Sequence, residues 1–310
     1  MFSPREHGKL SLIGELLLHL KILFNVARAI AAPGLAALLM LGSAPAEAGA
    51  RLTISSGGVS RAAVIVSRDR LKLRRRPLII VLQRSGGVIT RGRRHHGLEQ
   101  FAGATPIFAY PEALGGKWPL GPGPDADREL AFLHKLADHL IEQGRADSRR
   151  IFIVGVGPGG VLAYRAACAG IGHPVAGLAA IASAMPQDLS ACAPAAPLSY
   201  IAVNNAQDAK IPYAGGHATT GDSTFDAVAA EQSLQTFARI NGCGARRDLK
   251  DARTRGALVA YSGCKAPTEL IRLDASDHPL PDRAPESGEN AADHFDASRA
   301  VWEFLKRSGA

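Results

Sequence analysis

The sequence predicts an α/β protein in which a mostly parallel central sheet is covered by helices on both faces. Short apolar runs rich in β-branched residues alternate along the chain with longer segments of helical periodicity, as in parallel strands joined by crossover helices. In the middle of the chain, an apolar strand at residues 151–154 passes through a glycine-rich turn directly into a helix. The chain has 310 residues, of which 46% are hydrophobic, and this suits one large core.

The individual elements follow from local patterns. Continuous apolar runs predict buried strands, and leucines spaced three or four residues apart predict the long helix at residues 126–143. The predicted strands are residues 62–67, 77–82, 106–110, 151–154, 177–181, 198–203, 257–261 and 268–273. The predicted helices are residues 126–143, 158–168, 225–241 and 294–306.

The amino-terminal segment has the features of a signal peptide. Arg28 precedes an apolar run at residues 34–41, and small residues ahead of Gly49 suit a cleavage site. We therefore predict a signal peptide with a long n-region over residues 1–48 and a single secreted or periplasmic domain over residues 49–310. A start codon placed too far upstream would explain the long n-region better than a retained membrane anchor. No later segment approaches 18 consecutive apolar residues, which predicts no stable membrane span after cleavage.

The formal net charge is +8, and much of the excess is local. The basic residues concerned are Arg68, Arg70, Lys72, Arg74, Arg75, Arg76, Arg91, Arg93 and Arg94. Such a run can bind nucleic acid or an anionic surface, but no nucleic-acid motif with interleaved aromatic residues accompanies it. We interpret it as a solvated loop before a strand and expect no nucleic-acid partner.

The chain has four cysteines, and the predicted export would allow them to form disulfides because an oxidising compartment permits these bonds. Pairing neighbours in sequence gives Cys168–Cys192 and Cys243–Cys264. The alternative is that the four are buried free thiols.

The central glycine turn fits two chemistries, of which dinucleotide binding is the first. Gly155, Gly157 and Gly160 satisfy G-x-G-x-x-G, which also requires an acidic residue about 20 positions later, at the end of the next strand, to hold a ribose. Residues 182–184 at that place are Ala-Ser-Ala. We therefore predict no dinucleotide cofactor, and we expect no other cofactor and no metal.

The second chemistry is that of the nucleophile elbow, G-x-S-x-G, in which a sharp turn lifts a serine above the sheet. Gly155 and Gly159 occupy the two glycine positions, but Gly157 stands where the serine is required. Asp208 follows a later strand and His278 follows another, so the chain order is that of α/β-hydrolase triads.

Several further motifs occur in an order typical of one family. They are the strand at residues 77–82 before a glycine loop, Tyr110-Pro111, Trp118, Ala167-Cys168, Asp208 followed by Ile-Pro-Tyr-Ala-Gly-Gly216, Asn241-Gly-Cys243, Tyr261-Ser-Gly-Cys264 and His278-Pro279. Over roughly residues 64–305 the chain resembles the secreted polyhydroxybutyrate depolymerase and feruloyl-esterase-like family. The resemblance implies an α/β-hydrolase fold, with Asp208 as triad acid and His278 as triad base. It also places Ser85 and Gly86 in the oxyanion loop, and we take Trp118 as a candidate wall of the cleft.

The chain departs from this family at the residues that perform the reaction. Gly157 has no side chain to form an acyl-enzyme, and Pro158 has no backbone N–H to donate to the oxyanion hole. Gln83-Arg84 also replaces the usual His-Gly. We therefore expect an ester-hydrolase relative with impaired catalysis that binds an ester, an aromatic acid or a polymer.

Two other functions are compatible with the sequence. An active esterase would need another nucleophile, either Ser85 or Ser183, or a water molecule that His278 activates beside Gly157. A pure interaction module would instead use the basic surface between Arg68 and Arg94.

Overall fold

The computed structural model describes residues 49–68, 75–84, 97–251, 256–274 and 295–310. The strands in this part of the chain are β1 (Ala50–Ser56), β2 (Val59–Val66), β3 (Arg76–Leu82), β4 (Ile107–Pro111), β5 (Ala146–Val156), β6 (Val175–Ile181), β7 (Ser199–Asn205), β8 (Gly216–Thr220), β9 (Ser223–Ala227), β10 (Arg246–Asp251), β11 (Gly256–Tyr261) and β12 (Thr268–Leu273). The α-helices are α1 (Pro124–Glu142), α2 (Pro158–Ala169), α3 (Ala230–Ile240) and α4 (Ala297–Arg307).

Ten of these strands form one sheet in the order β1-β2-β4-β3-β5-β6-β7-β12-β11-β10. The six central strands, from β4 to β12 in that order, run parallel to one another. The strands at both edges, β1 with β2 and β11 with β10, are antiparallel to their neighbours. The predicted α/β class and its mostly parallel sheet are confirmed.

Helices cover both faces of this sheet, as the sequence predicts. In β3, Leu78, Ile80 and Leu82 belong to the same buried cluster as residues of α1, α2 and α3. Ile79 and Val81 point the other way and share a second buried cluster with residues of α4. Because both faces are buried, the central strands are apolar throughout, and this explains why their positions can be read from the sequence.

Two β-hairpins are absent from the sequence prediction. β1 and β2 are joined by Gly57-Gly58, and β8 and β9 by Gly221-Asp222, each a two-residue turn in which the glycines have positive φ. The second hairpin corrects the helix predicted at residues 225–241, which begins only at Ala230 because residues 223–227 form β9.

Other boundaries also differ from the prediction. The charged edge strand β10 was not predicted, because it lacks the apolar run that marks a buried strand. The closing helix begins at Ala297, where the Asp296 carboxylate accepts a hydrogen bond from the Arg299 N–H. His294, the predicted start of that helix, lies outside the described residues.

Two disulfides join Cys168 to Cys192 and Cys243 to Cys264, the pairing obtained from sequence neighbours. They are consistent with a secreted protein, since disulfides persist in oxidising compartments. In the described part of the chain, none of the helices is long and apolar enough to cross a membrane. The predicted signal peptide at residues 1–48 lies outside that part.

The basic segment is only partly a solvated loop. Arg76 lies in β3 and is buried, and its guanidinium donates to the Ala104 carbonyl and to the Ser67 hydroxyl. Arg68 similarly donates to the Ala102 carbonyl. These two residues therefore satisfy internal acceptors, which corrects the interpretation of the run as uniformly solvated. Residues 69–74 and 85–96 are outside the described residues.

Candidate functional site

The elbow between β5 and α2 has a sharp backbone turn at Gly157. This residue has φ of 54° and ψ of −123°, a combination that residues with side chains rarely adopt. The Gly157 N–H donates to the Ile181 carbonyl at 3.0 Å, and its carbonyl accepts from the Gly160 N–H at 2.9 Å. The turn is thus hydrogen-bonded on both sides although it carries no nucleophile.

The glycines around Gly157 are required by close packing. A Cβ on Gly159 would lie 2.1 Å from the Leu82 carbonyl oxygen, and one on Gly155 would lie 2.4 Å from the Gly160 Cα. A Cβ on Gly157, by contrast, would have the Arg84 Nε at 3.8 Å as its nearest neighbour, which is an ordinary van der Waals contact. The position of the missing nucleophile therefore has room for a side chain, whereas its neighbours do not.

Pro158 is the first residue of α2, a position that suits proline because its φ is already helical. The same residue supplies no N–H at the point where an elbow normally donates one to an oxyanion. The turn therefore has the shape of a nucleophile elbow, and it lacks both the nucleophile and one oxyanion donor.

A cavity of about 560 Å³ lies over the elbow. Its lining residues are Arg84, Gly115, Gly116, Lys117, Trp118, Leu120, Gly157, Pro158, Ala182, Lys210, Ile211, Thr219, Thr220, Gly221, Asp222 and Ser223. Among these described lining residues, three side chains are cationic and one is anionic, so this part of the wall carries a net positive charge. A positive wall favours a negatively charged ligand.

Trp118 forms part of this wall, as proposed from the sequence. The indole is only 5% exposed, and its Nε1–H donates to the Gln83 carbonyl at 2.6 Å. This bond connects the loop that follows β4 with the end of β3, just before the predicted oxyanion loop.

The loop that carries Trp118 is held from both ends. At one end Glu129 accepts a hydrogen bond from the Leu114 N–H and pairs with Arg61 at 2.6 Å, with both charged side chains buried. At the other end the Arg165 guanidinium donates to the Leu120 carbonyl and forms a two-pronged contact with Asp188. These charge-assisted bonds fix one side of the cavity.

Asp208 lies in the loop after β7, at the carboxyl edge of the sheet. Its Oδ1 accepts hydrogen bonds from the N–H groups of Lys210, at 2.8 Å, and Ile211, at 3.0 Å. The neighbouring strand β12 ends at Leu273, which pairs with Asn205 at the end of β7. His278 follows β12 in sequence but lies outside the described residues, so its contact with Asp208 stays a prediction.

The structure describes one of the two alternative serine nucleophiles, Ser183. Ser183 is 1% exposed, does not line the cavity, and a Cβ on Gly160 of α2 would lie 2.4 Å from its Oγ. This burial against α2 argues against Ser183 as the replacement nucleophile. Ser85 and Gly86, the predicted oxyanion loop, lie outside the described residues.

The sequence does not predict Lys117 and Lys210 as cavity residues, nor the hairpin that forms part of the rim. The tip of the β8–β9 hairpin lines the cavity, and the Thr219 N–H donates to the Lys210 carbonyl at 2.7 Å. A signal for the hairpin exists in the sequence, because Gly221-Asp222 between two threonine-containing segments is typical of a two-residue β-turn.

Solved structures share the architecture described above. The carboxylesterase Cest-2923 from Lactobacillus plantarum WCFS1 matches with a TM-score of 0.52 and 11% identity, over 84% of this chain and 95% of that one. A phospholipase/carboxylesterase from Dyadobacter fermentans DSM 18053 matches with a TM-score of 0.51 and 12% identity, over 82% and 98% of the two chains. The chain therefore has the α/β-hydrolase fold. Identities this low establish the fold alone.

A sequence relative is named for the same class of enzyme. It is "Putative esterase NocK" from Nocardia uniformis subsp. tsuyamanensis, 27% identical over 217 residues. The match spans 64% of this chain and 62% of that protein, which is less than two thirds of its length. No protein-family model matches the chain. The chain is thus similar to esterases in both sequence and fold.

Proposed function

We propose that this chain is an exported relative of the polyhydroxybutyrate depolymerase and feruloyl-esterase-like proteins that has lost serine-ester hydrolysis and binds a carboxylate-bearing ligand. The observation that carries the proposal is Gly157, which has the backbone angles of an elbow, faces an open cavity and has no side chain. Without a nucleophile at this position, no acyl-enzyme forms there.

Pro158 supports the loss of catalysis independently. Removing one oxyanion donor costs on the order of 10²–10³ in rate even when the nucleophile is present. Gly157 removes the attacking group and Pro158 removes a donor to the oxyanion that the attack creates, so neither substitution compensates for the other.

The charge of the cavity supports a carboxylate as the ligand. Ester hydrolysis converts a neutral ester into an acid that is ionised at neutral pH. Arg84, Lys117 and Lys210 line the cavity over the elbow, and among the lining residues that the structure describes Asp222 is the acidic one. An acid with an aromatic or aliphatic body would place its carboxylate near these cations and its body against Trp118.

The loss of catalysis is tested by hydrolysis of p-nitrophenyl butyrate by the full chain, by Gly157→Ser and by Gly157→Ser/Pro158→Ala. We expect no hydrolysis above background from the wild type and a gain of at least about 100-fold in the double variant, because it regains both nucleophile and donor. Adding His278→Ala to the double variant should remove the gain.

Two results would contradict this proposal. Hydrolysis by the wild type that disappears in His278→Ala would show an active enzyme, with Ser85 or a water molecule as nucleophile. A double variant as inactive as the wild type would show that the site lacks more than its serine and one donor.

Ligand binding is tested by calorimetry with ferulate and its neutral methyl ester. We expect the wild type to bind ferulate more tightly, and Lys210→Ala to weaken ferulate binding about 3- to 10-fold with little effect on the ester. Lys135→Ala is the matched control, because Lys135 lies on α1 and does not line the cavity. Equal affinities for acid and ester would contradict a carboxylate ligand.

A further inference from the structure

Two histidines and an aspartate meet on the surface, on different elements from those that form the cavity. His134 and Asp138 are one turn apart on α1, and His173 lies in the loop between α2 and β6. The Asp138 carboxylate lies 3.1 Å from the His134 Nε2 through one oxygen and 2.6 Å from the His173 Nε2 through the other. One ligand atom from each of the three residues lies within 4.8 Å of the other two.

We propose that His134, Asp138 and His173 form a binding site for a divalent transition metal, with Zn²⁺ as the best-suited ion. Two imidazole nitrogens and one carboxylate oxygen are common Zn²⁺ ligands. Mg²⁺ and Ca²⁺ prefer oxygen ligands and fit this donor set poorly. The inference is independent of the function proposed for the cavity.

The three ligand atoms are close enough to reach one four-coordinate ion. Ligand atoms bound to one Zn²⁺ at about 2.0–2.1 Å in a tetrahedron are roughly 3.3 Å apart. The two histidines contact different oxygens of Asp138, and one ligand atom from each residue lies within 4.8 Å of the other two, so a shift of the Asp138 carboxylate would bring one oxygen and both nitrogens onto one ion. The side chains of His134, Asp138 and His173 are 45%, 37% and 21% exposed, so water can supply a fourth ligand.

The backbone of the loop also shapes the site. Gly172, the residue before His173, has φ of 74°, and a Cβ built on it would lie 2.1 Å from the His134 Nε2. The His134 ring therefore occupies space that exists only because residue 172 is glycine. This close approach brings the α1 histidine within 5.8 Å of the His173 ring, measured between ring centroids.

The position of the site indicates a structural role. β6 begins just after His173, so the site lies toward the amino-terminal edge of the parallel strands, whereas the elbow lies at their carboxyl edge. A metal ion here would join α1 to the loop before β6, two segments 35 residues apart in sequence. Binding to the folded chain alone would raise its stability.

The test uses the full, untagged chain with its disulfides intact, freed of metal with EDTA and then dialysed. Co²⁺ is titrated while its visible absorption is recorded, and Zn²⁺ affinity is obtained by competition. The variants are His173→Ala and the isosteric Asp138→Asn. His139→Ala is the matched control, since His139 is on the same helix and contacts Gln143 instead.

We expect the wild type and His139→Ala to bind one ion more tightly than either site variant by at least about 100-fold. Loss of an outer-shell partner alone typically costs about 10- to 100-fold, and these variants lose a direct ligand. At free Zn²⁺ about 100 times the dissociation constant, the melting temperature of the wild type should rise by about 5 °C. The site variants should show no such rise.

Equal Zn²⁺ affinity and equal thermal shift in the control and both site variants would overturn the proposal, because the chain has ten histidines and other residues would then be the ligands. Absence of Zn²⁺ binding by the wild type would also overturn it. If His173→Ala does not fold, Asp138→Asn decides the question, since it preserves the shape of the side chain and removes its charge.

Discussion

The elbow at Gly157 and the loop at Asp208 both belong to the site that we propose, but different features define them. The elbow has a sharp backbone turn, with no side chain at residue 157 and a proline at residue 158. The loop after β7 has a carboxylate that accepts hydrogen bonds from two N–H groups of its own loop. In each region these features also stabilise the fold.

This difference has a physical cause in how each region packs. The elbow glycines allow α2 to pack against the ends of β3 and β6, so their loss would disturb the core. The Asp208 carboxylate orders the loop that carries Lys210 and Ile211. A side chain at residue 157 would make only ordinary van der Waals contact with Arg84, so the packing of the fold does not require one there.

The largest expected effect tests the elbow. Gly159→Ala should lower the free energy of unfolding by about 3 kcal/mol or more, because its Cβ would meet the rigid Leu82 carbonyl. Gly157→Ala should cost only about 1–2 kcal/mol, which is the strain of a positive φ without a steric clash. Urea unfolding of the two variants in oxidising buffer measures both. Equal losses would show that backbone strain alone governs the turn.

A smaller effect tests the Asp208 loop. Asp208→Ala removes the acceptor for two backbone N–H groups and should cost about 1 kcal/mol in unfolding free energy. Asp208→Asn keeps an acceptor oxygen at Oδ1 and should stay close to the wild type. The same urea experiment compares them. A loss as large in the Asn variant as in the Ala variant would mean that the carboxylate charge, and not its hydrogen bonds, stabilises the loop.

The smallest expected effect concerns Pro158. Proline at the first position of a helix restricts the unfolded chain, so Pro158→Ala should lower stability by about 0.4–1 kcal/mol. Calorimetric melting measures this difference. A stabilised Pro158→Ala would indicate that the proline strains the elbow, which would remove the structural reason for its presence.

The sequence predicts the central sheet and the elbow because each has a strong local cause. Buried parallel strands are apolar throughout, and the glycine run allows little except a tight turn. Edge strand β10 is different, since five of its six residues are charged and its pairing with β11 depends on tertiary context. The sequence also predicts too early a start for α3. Phe225 belongs to the β8–β9 hairpin, whose pairing likewise depends on tertiary context.

Of the candidate site, the sequence predicts the residues that belong to familiar motifs and misses those brought together by folding. Gly157, Pro158 and Trp118 do lie around one cavity. Lys117 and Lys210 are ordinary lysines in sequence and line the same cavity only because their loops lie at the same edge of the sheet. His134 and His173 are likewise 39 residues apart, so their proximity depends on how α1 lies beside the loop between α2 and β6.

The turn at Gly157 and Pro158 couples the stability of the chain to any gain of hydrolysis. A serine introduced alone at residue 157 would add backbone strain without an oxyanion donor, and a replacement of proline alone would weaken the helix start without adding a nucleophile. Each single substitution therefore lowers stability and supplies only one of the two groups. A variant designed for hydrolysis at this elbow calls for both changes together, with its stability measured beside its activity.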